Sequence, residues 1–241
     1  FDNNRIQKFD SDGNFILSWG TSVTADGQFD DPLSIAVDSD NNVYVVDSDN
    51  NRIQKFDAFG NFLLKFGTSG TGNGQFTYPT GVTTDSQNNV YVSDTFVSGT
   101  DSRIQKFDSD GNYLAQWSIQ DEITYKVKVD TVDNVYATGR NGLRIKKYTT
   151  GGTLLTEWGA IGTDDGEFGG TNGVTGLGFD EAGNVYAVDF DNSRVQKFIY
   201  ADQELGSFQL DISALTCGTT YHYRAYAITA AGTGYGEDNT F

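Results

Sequence analysis

The sequence predicts an all-β protein, a β-propeller of four-stranded antiparallel blades. Three observations predict it. One short strand is written five times, its copies recur at a blade-like period, and each period holds four short apolar runs divided by turn residues. The strand is "RIQKF". It begins at Arg5, Arg52 and Arg103, with near copies beginning at Arg144 and Arg194. The spacings between these arginines are 47, 51, 41 and 50 residues. Propeller blades and solenoid units repeat on that scale. The chain of 241 residues has room for one large all-β domain or two ordinary ones.

The elements of one period follow in order through residues 33–67. "LSIAVD" is a first strand, "VYVVD" a second, "RIQKFD" a third and "FLLKFG" a fourth. The intervening "SDNN" and "AFGN" are turns, since Asp, Asn and Gly accept positive φ and fit tight hairpins. Short strands joined by hairpins give an antiparallel sheet. The second strand recurs as "NVYVVD", "NVYVSD", "NVYATG" and "NVYAVD". It is apolar on both faces, as a strand buried on both sides must be. The fourth strand ends in an aromatic and a small residue: Trp19-Gly20, Phe66-Gly67, Trp117-Ser118 and Trp158-Gly159. All three Trp residues thus hold one repeat position and are expected to pack between blades. A blade cannot bury both faces alone, so the unit repeats until a ring closes. Five blades are expected, or six if the chain is a piece of a longer protein.

"GVTTDSQNNVYVSD" followed by "RIQKFDSDGNYLAQW" resembles the NHL repeat, a β-propeller blade. The linker "GNGQFTYPTGV" at 72–82 is typical of that repeat, and it is echoed by "ADGQFDDPLSI" at 25–35 and "DDGEFGGTNGV" at 164–174. The resemblance covers residues 1–200. The segment "SIQDEITYKVKVD" at 118–130 departs from it, having no such linker.

Residues 201–241 are set apart as a tail. "LDISALTCGTTYHYRAYAITAAGTGYGEDNTF" resembles the last strands of a bacterial fibronectin type III domain, with Leu215 and Tyr221 at the spacing of its tyrosine corner. Cys217 stands where that family usually has Pro. About 40 residues are too few for a sandwich of about 100. Only four copies carry the first two strands, and the N-terminal copy starts at strand three. Three arrangements stay open: the tail supplies the strands that close the ring, it is an independent remnant, or the ring is open. Phe1 begins inside a repeat and the chain has no Met. It is therefore expected to be a processed or truncated piece of something longer.

Composition excludes several functions. Lys plus Arg is 16 and Asp plus Glu is 33, for a net charge of −17. Nucleic acid and anionic lipid would be repelled. No run approaches the ~18 apolar residues of a membrane span. The RNA-binding members of the NHL family use a basic face, and here the corresponding loops carry Asp26, Asp30, Asp31, Asp164, Asp165 and Glu167. Zinc-dependent lyases of NHL type need several histidines, and the chain has one, His222. There is no nucleophile elbow, and the Gly-rich "GTSGTGNGQF" lacks a phosphate-loop ending.

The acidic turns "DSDGN" and "DSDNN" resemble the start of a calcium loop without its distant Glu. They read as turn-formers, with calcium as the other possibility. No cofactor other than calcium is expected. Asp47, Asn50 and Arg52, repeated as Asp189, Asn192 and Arg194, read as an Asp–Arg link bracing each blade. The fourth repeat has Thr138-Gly139 in place of the Asp and should be braced more weakly.

The expected function is non-enzymatic: a binding or scaffold module of an extracellular or cell-surface protein. It would take a protein or glycan partner on the face built from the loops between strands two and three and the inter-blade linkers. The residues expected to meet that partner are Asp47, Asp49, Asp94, Phe96, Asp101, Asp189 and Asp191. The loop "TFVSGTDS" at 95–102 is longer than its counterparts and is the first place to look. The alternatives are a calcium-dependent hydrolase or lactonase at the channel mouth, and a self-associating structural repeat of a surface filament or sheath.

Overall fold

The computed structural model describes residues 3–22, 24–95, 102–119, 123–140, 144–170 and 172–199, with four short tail strands. Every described element is a strand. β1 (Ile6–Phe9) and β2 (Phe15–Trp19) form a two-stranded sheet. β3 (Pro32–Val37), β4 (Val43–Asp47), β5 (Arg52–Phe56) and β6 (Phe62–Phe66) form the second sheet. β7 (Pro79–Thr84), β8 (Val90–Thr95), β9 (Ser102–Phe107) and β10 (Tyr113–Ile119) form the third. β11 (Ile123–Val129), β12 (Val135–Arg140), β13 (Ile145–Tyr148) and β14 (Leu154–Trp158) form the fourth. β15 (Val174–Phe179), β16 (Val185–Asp189) and β17 (Arg194–Phe198) form the fifth. Each is an antiparallel meander. The protein is an all-β propeller in which three described sheets are four-stranded, and "RIQKF" or its variant is the third strand of the second to fifth sheets.

The first strand of each blade is innermost, because β3 runs beside β7, β7 beside β11 and β11 beside β15. All four carry an irregularity at their start, at Pro32/Ser34, Pro79/Gly81, Thr124/Lys126 and Val174/Gly176. The core lies between blades rather than within one. Tyr44, Val46 and Ile53 of the second blade meet Val82, Val92 and Phe107 of the third. Tyr91 and Ile104 meet Val127 and Tyr148 of the fourth, and Tyr136 and Ile145 meet Val174 and Phe198 of the fifth. Strands β4 and β8 are buried along their whole length. Each such apolar side chain contributes roughly 1.5–3 kcal/mol by burial.

The outer-strand aromatics pack across the blade boundary as expected. Trp19 lies 5.7 Å from Phe56, Trp117 5.8 Å from Tyr148 and Trp158 5.8 Å from Phe198, and Phe66 takes the same place against Phe107 at 4.7 Å. The small residue after the aromatic has a steric cause. Gly67 has φ +97°, and a Cβ there would lie 2.5 Å from the Phe76 ring. Phe76 belongs to the linker, and with Phe29 and Phe168 it is wholly buried.

The two ends of the arc differ from its middle. Ile35 is 45% exposed, whereas Val82 at the same register is 1% exposed. Val195 is 63% exposed, whereas Ile53 is 0%. Among the described residues no strand covers these two faces. In the tail, β18 (His222–Tyr223) pairs with β21 (Asn239–Thr240), and β19 (Tyr226–Thr229) with β20 (Gly232–Tyr235). The described tail strands thus pair with one another, and no ladder to β1 is among the described pairings. Leu215, Cys217 and Tyr221 lie outside the described residues.

Candidate functional site

The loops between second and third strands and the linkers between blades meet at one end of the blades. What builds that end is a repeated brace. The last residue of strand two faces the first residue of strand three, so Asp47 pairs with Arg52, Asp94 with Arg103 and Asp189 with Arg194. The side chains follow the register. Arg52 Nε donates to Asp47 Oδ2 at 2.6 Å, Arg194 Nε to Asp189 Oδ2 at 2.8 Å, and Arg103 donates twice to Asp94 Oδ2. Oδ1 of each Asp then accepts linker N–H groups: Asp30 on Asp47, Thr77 and Tyr78 on Asp94, Gly169 on Asp189.

The rest of each guanidinium reaches linker carbonyls. Arg52 donates to Ala25 and Gln28, Arg103 to Thr71 and Gln75, and Arg194 to Thr163, Asp164 and Glu167. A glutamine two residues on completes the grip. Gln54, Gln105 and Gln196 each donate to a linker carbonyl and accept from a linker glycine N–H. Charge-assisted bonds of this kind are roughly twice as strong as neutral ones. The sequence reading missed these glutamines, although "R-x-Q" in four of the five copies was the signal for them.

This geometry corrects part of the expected contact set. Asp47, Asp94 and Asp189 are 0% exposed and bonded on both oxygens, so they hold the loops and are not presented to a partner. Their environments still differ. Burial pushes the Asp94 carboxyl up, outweighing the Tyr78 and Thr77 N–H groups and Arg103. At Asp189 burial also pushes up, but the bonds from Gly169, Asn192 and Arg194 win and the carboxyl sits low.

Asp49 and Asp191 are exposed on the loops. Asp49 is pushed up by desolvation and by the neighbouring Asp31, Asp30 and Asp47. Asp191 accepts both the N–H and the side-chain amide of Asn172, tying its loop to the linker. Phe96 and Asp101 lie outside the described residues.

The fourth blade, expected to be braced more weakly, shows no such brace among the described residues. Thr138 Oγ1 donates to the Val174 carbonyl, and Arg144 turns outward to Glu157 at the surface. The linker before this blade is absent too.

The opposite end of the blades is held by a second repeated device. In "DSDGN", Asp10 Oδ1 accepts the N–H groups of Asp12 and Asn14 while Oδ2 accepts the Asn14 amide. The same clasp joins Asp38 to Asn42, Asp57 to Asn61, Asp85 to Asn89, Asp108 to Asn112, Asp130 to Asn134 and Asp180 to Asn184. The Asn14 side-chain bond holds the Asp10 carboxyl below its ordinary value, and the Asn184 bond holds Asp180 down at about 2. Tyr91 donates its hydroxyl to Asp85 and Tyr186 to Asp180, with Lys106 and Lys197 over the two rings. These carboxylates act as turn-formers. Among the described residues no group of three or more His, Cys, Asp or Glu could hold a metal ion.

Two stretches, residues 29–56 and 76–107, match the NHL repeat. They are blades two and three through their third strands, with the linker phenylalanine at the start of each. No curated protein matches the chain. Solved structures with the same fold include a streptogramin B lyase, 13% identical over 97% of this chain and 76% of that one, with a TM-score of 0.61. A catalytically inactive His-to-Ala variant of virginiamycin B lyase from Staphylococcus aureus, solved with quinupristin, is 12% identical over 97% and 77%, with a TM-score of 0.58. A protein of unknown function from Bacteroides caccae is 12% identical over 81% and 69%, with a TM-score of 0.52. At these identities the likeness is one of fold.

Proposed function

We propose that this NHL-type propeller is a non-enzymatic binding or scaffold module of an extracellular or cell-surface protein. Its partner, a protein or glycan, meets the linker and loop face, where Asp49 and Asp191 stand exposed. The observation that carries this reading is the use of the acidic groups. At both ends of the blades the repeated aspartates are bonded on both oxygens within the fold, in braces and clasps. They are thereby withdrawn from acid–base work and metal ligation, and the module needs no cofactor. The fibronectin-like resemblance of residues 201–241 supports the extracellular assignment. We assign the same segment to covering the open faces at Ile35 and Val195.

A lyase reading comes from the fold neighbours. Loss of one histidine accompanies inactivity in the virginiamycin B lyase variant, whereas the one histidine here, His222, is the first residue of tail strand β18. The test has two arms. Purified protein is incubated with quinupristin and with simple lactones, with and without magnesium or calcium, and the products are weighed by mass spectrometry. Binding to a panel of glycans and basic secreted proteins is measured for the native chain and for the Asp49→Ala, Asp191→Ala double variant. Binding lost in the double variant, with no turnover, is the expected result. Turnover of either substrate class would overturn the proposal.

A further inference from the structure

The innermost strand of the fourth blade departs from its three counterparts at two positions. Lys126 pairs with Thr138 and Lys128 with Tyr136. The corresponding residues are Ser34 and Ala36 in β3, Gly81 and Thr83 in β7, and Gly176 and Gly178 in β15. Every other blade keeps a small side chain here, where the inner strands crowd together. Only the fourth places two long cationic chains there.

Their direction follows from their neighbours. Val127 and Val129 pack into the core toward the third blade. Alternation along a strand therefore turns Lys126 and Lys128 the other way, to the face from which Tyr136 packs against Phe179 of the fifth blade. Both lie on the strand that lines the centre of the arc. Lys128 is exposed and Lys126 half-buried.

Cations are the minority in this chain, 16 against 33 acidic residues, and eight of them stand in ion pairs among the described residues. Arg52, Arg103, Arg144 and Arg194 pair with carboxylates, as do Lys65, Lys106, Lys147 and Lys197. Among the described residues Lys126 and Lys128 make no ion pair. Burial and the charge of Lys128 both push the Lys126 ammonium down from its ordinary value. Two like charges side by side on one face of a strand, about 7 Å apart along it, repel one another until an anion bridges them. Among the described residues no carboxylate forms an ion pair with either lysine, although acidic residues outnumber cations 33 to 16 in the chain.

We propose that Lys126 and Lys128 form an anion site on the central strand of the fourth blade, taking the carboxylate or phosphate group of a small ligand that enters between the inner strands. The site is distinct from the loop face, and it stands whether or not that face binds a partner.

The test uses the full chain at low ionic strength, where screening is least. Citrate and inorganic phosphate are titrated calorimetrically up to about 10 mM, a range that captures dissociation constants near 1 mM. The variants are Lys126→Ser with Lys128→Ala, which restores the residues of the second blade and so preserves folding, and Lys126→Arg, which keeps the charge. The native chain and Lys126→Arg should bind at least one of the two anions, and the double variant should bind it at least tenfold more weakly. Citrate alone binding identifies a carboxylate ligand, and phosphate alone a phosphate. A second readout is amine labelling followed by mass spectrometry, in which the bound anion should slow modification of Lys126 and leave Lys65 unchanged. No binding of either anion to the native chain, or equal affinity in the double variant, would overturn the proposal.

Discussion

The brace makes a sharp comparison possible within one chain, because Arg103 and Arg144 hold the same repeat position in different surroundings. The Arg103 side chain is 6% exposed and its partner Asp94 0%. It also holds the carbonyls of Thr71 and Gln75 and the side chain of Gln116. Arg103→Ala removes the guanidinium bonded to Asp94 and leaves a buried charge held by the N–H groups of Thr77 and Tyr78. Breaking a buried pair in this way costs about 3–5 kcal/mol. Arg144 is 46% exposed and faces Glu157 at 37%, so Arg144→Ala should cost about 0–1 kcal/mol after solvent screening. At about 2–4 °C per kcal/mol for a chain of this size, the first change lowers the melting temperature by about 6–20 °C and the second by no more than about 4 °C. Urea unfolding of the two variants, with matched slopes, measures the difference directly. Equal costs within about 1 kcal/mol would mean that the brace does not carry the linker, and the account of the blade end would fail.

Three further outcomes follow. The indole N–H groups of Trp19, Trp117 and Trp158 are buried without a partner. Relieving one offsets about 1–3 kcal/mol of lost ring burial, so Trp117→Phe, which copies Phe66, should shift stability by less than about 1 kcal/mol, against about 3–5 for Trp117→Ala. The clasp carboxylates of Asp10, Asp57, Asp108 and Asp180 are all held below their ordinary value of 3.8 by bonds from Asn side chains. A lowered folded value means stability present above the unfolded value and lost as protons bind. Acid unfolding should therefore set in below pH 4 and extend toward pH 2, and Asn184→Ala should move its onset upward when followed by circular dichroism. Deleting residues 201–241 should uncover the faces at Ile35 and Val195 and give a lower melting temperature with concentration-dependent association in sedimentation. A monomer with unchanged melting would exclude that segment as the cover.

Much of the fold was legible because the repeat is written in residues with strict local demands. Strand three was legible in three copies of "RIQKF" and two close variants, strand two in "NVY", and the blade boundary in an aromatic followed by a small residue that a linker phenylalanine presses against. The Asp–Arg brace was legible too, since the two residues flank one tight loop. The orientation of the aspartates was not. An Asp at the end of a strand reads the same whether it faces water or an arginine, so Asp47, Asp94 and Asp189 were expected at a partner surface and are found inside. The glutamines were hidden for the opposite reason. Gln54 is two residues from Arg52 and shares its face, but its partner Gln28 is in a linker that only the fold brings near.

The central lysines show where local pattern stops being informative. In "ITYKVKV" the spacing puts Lys126 and Lys128 on one face of the strand, unlike the adjacent Lys146 and Lys147 of β13, but it does not say what lies beyond that face. The register shift between Thr124 and Lys126 sets which face they take. The brace and the linker, by contrast, behave as one device. An R-x-Q pair has no use without a linker whose carbonyls it can hold, and a Gly-rich linker has no fixed path without the pair. The fourth blade lacks the linker, the Asp and the Gln together, with Gly139 and Lys146 in the last two places. Joint loss is what an interdependent device requires: a buried Asp kept without its linker N–H groups would be a desolvated charge with half its bonds, costing more than the brace returns. The segment free of that constraint is the one that places two lysines on the central strand of an acidic chain, so the missing brace and a distinct chemistry coincide in one blade.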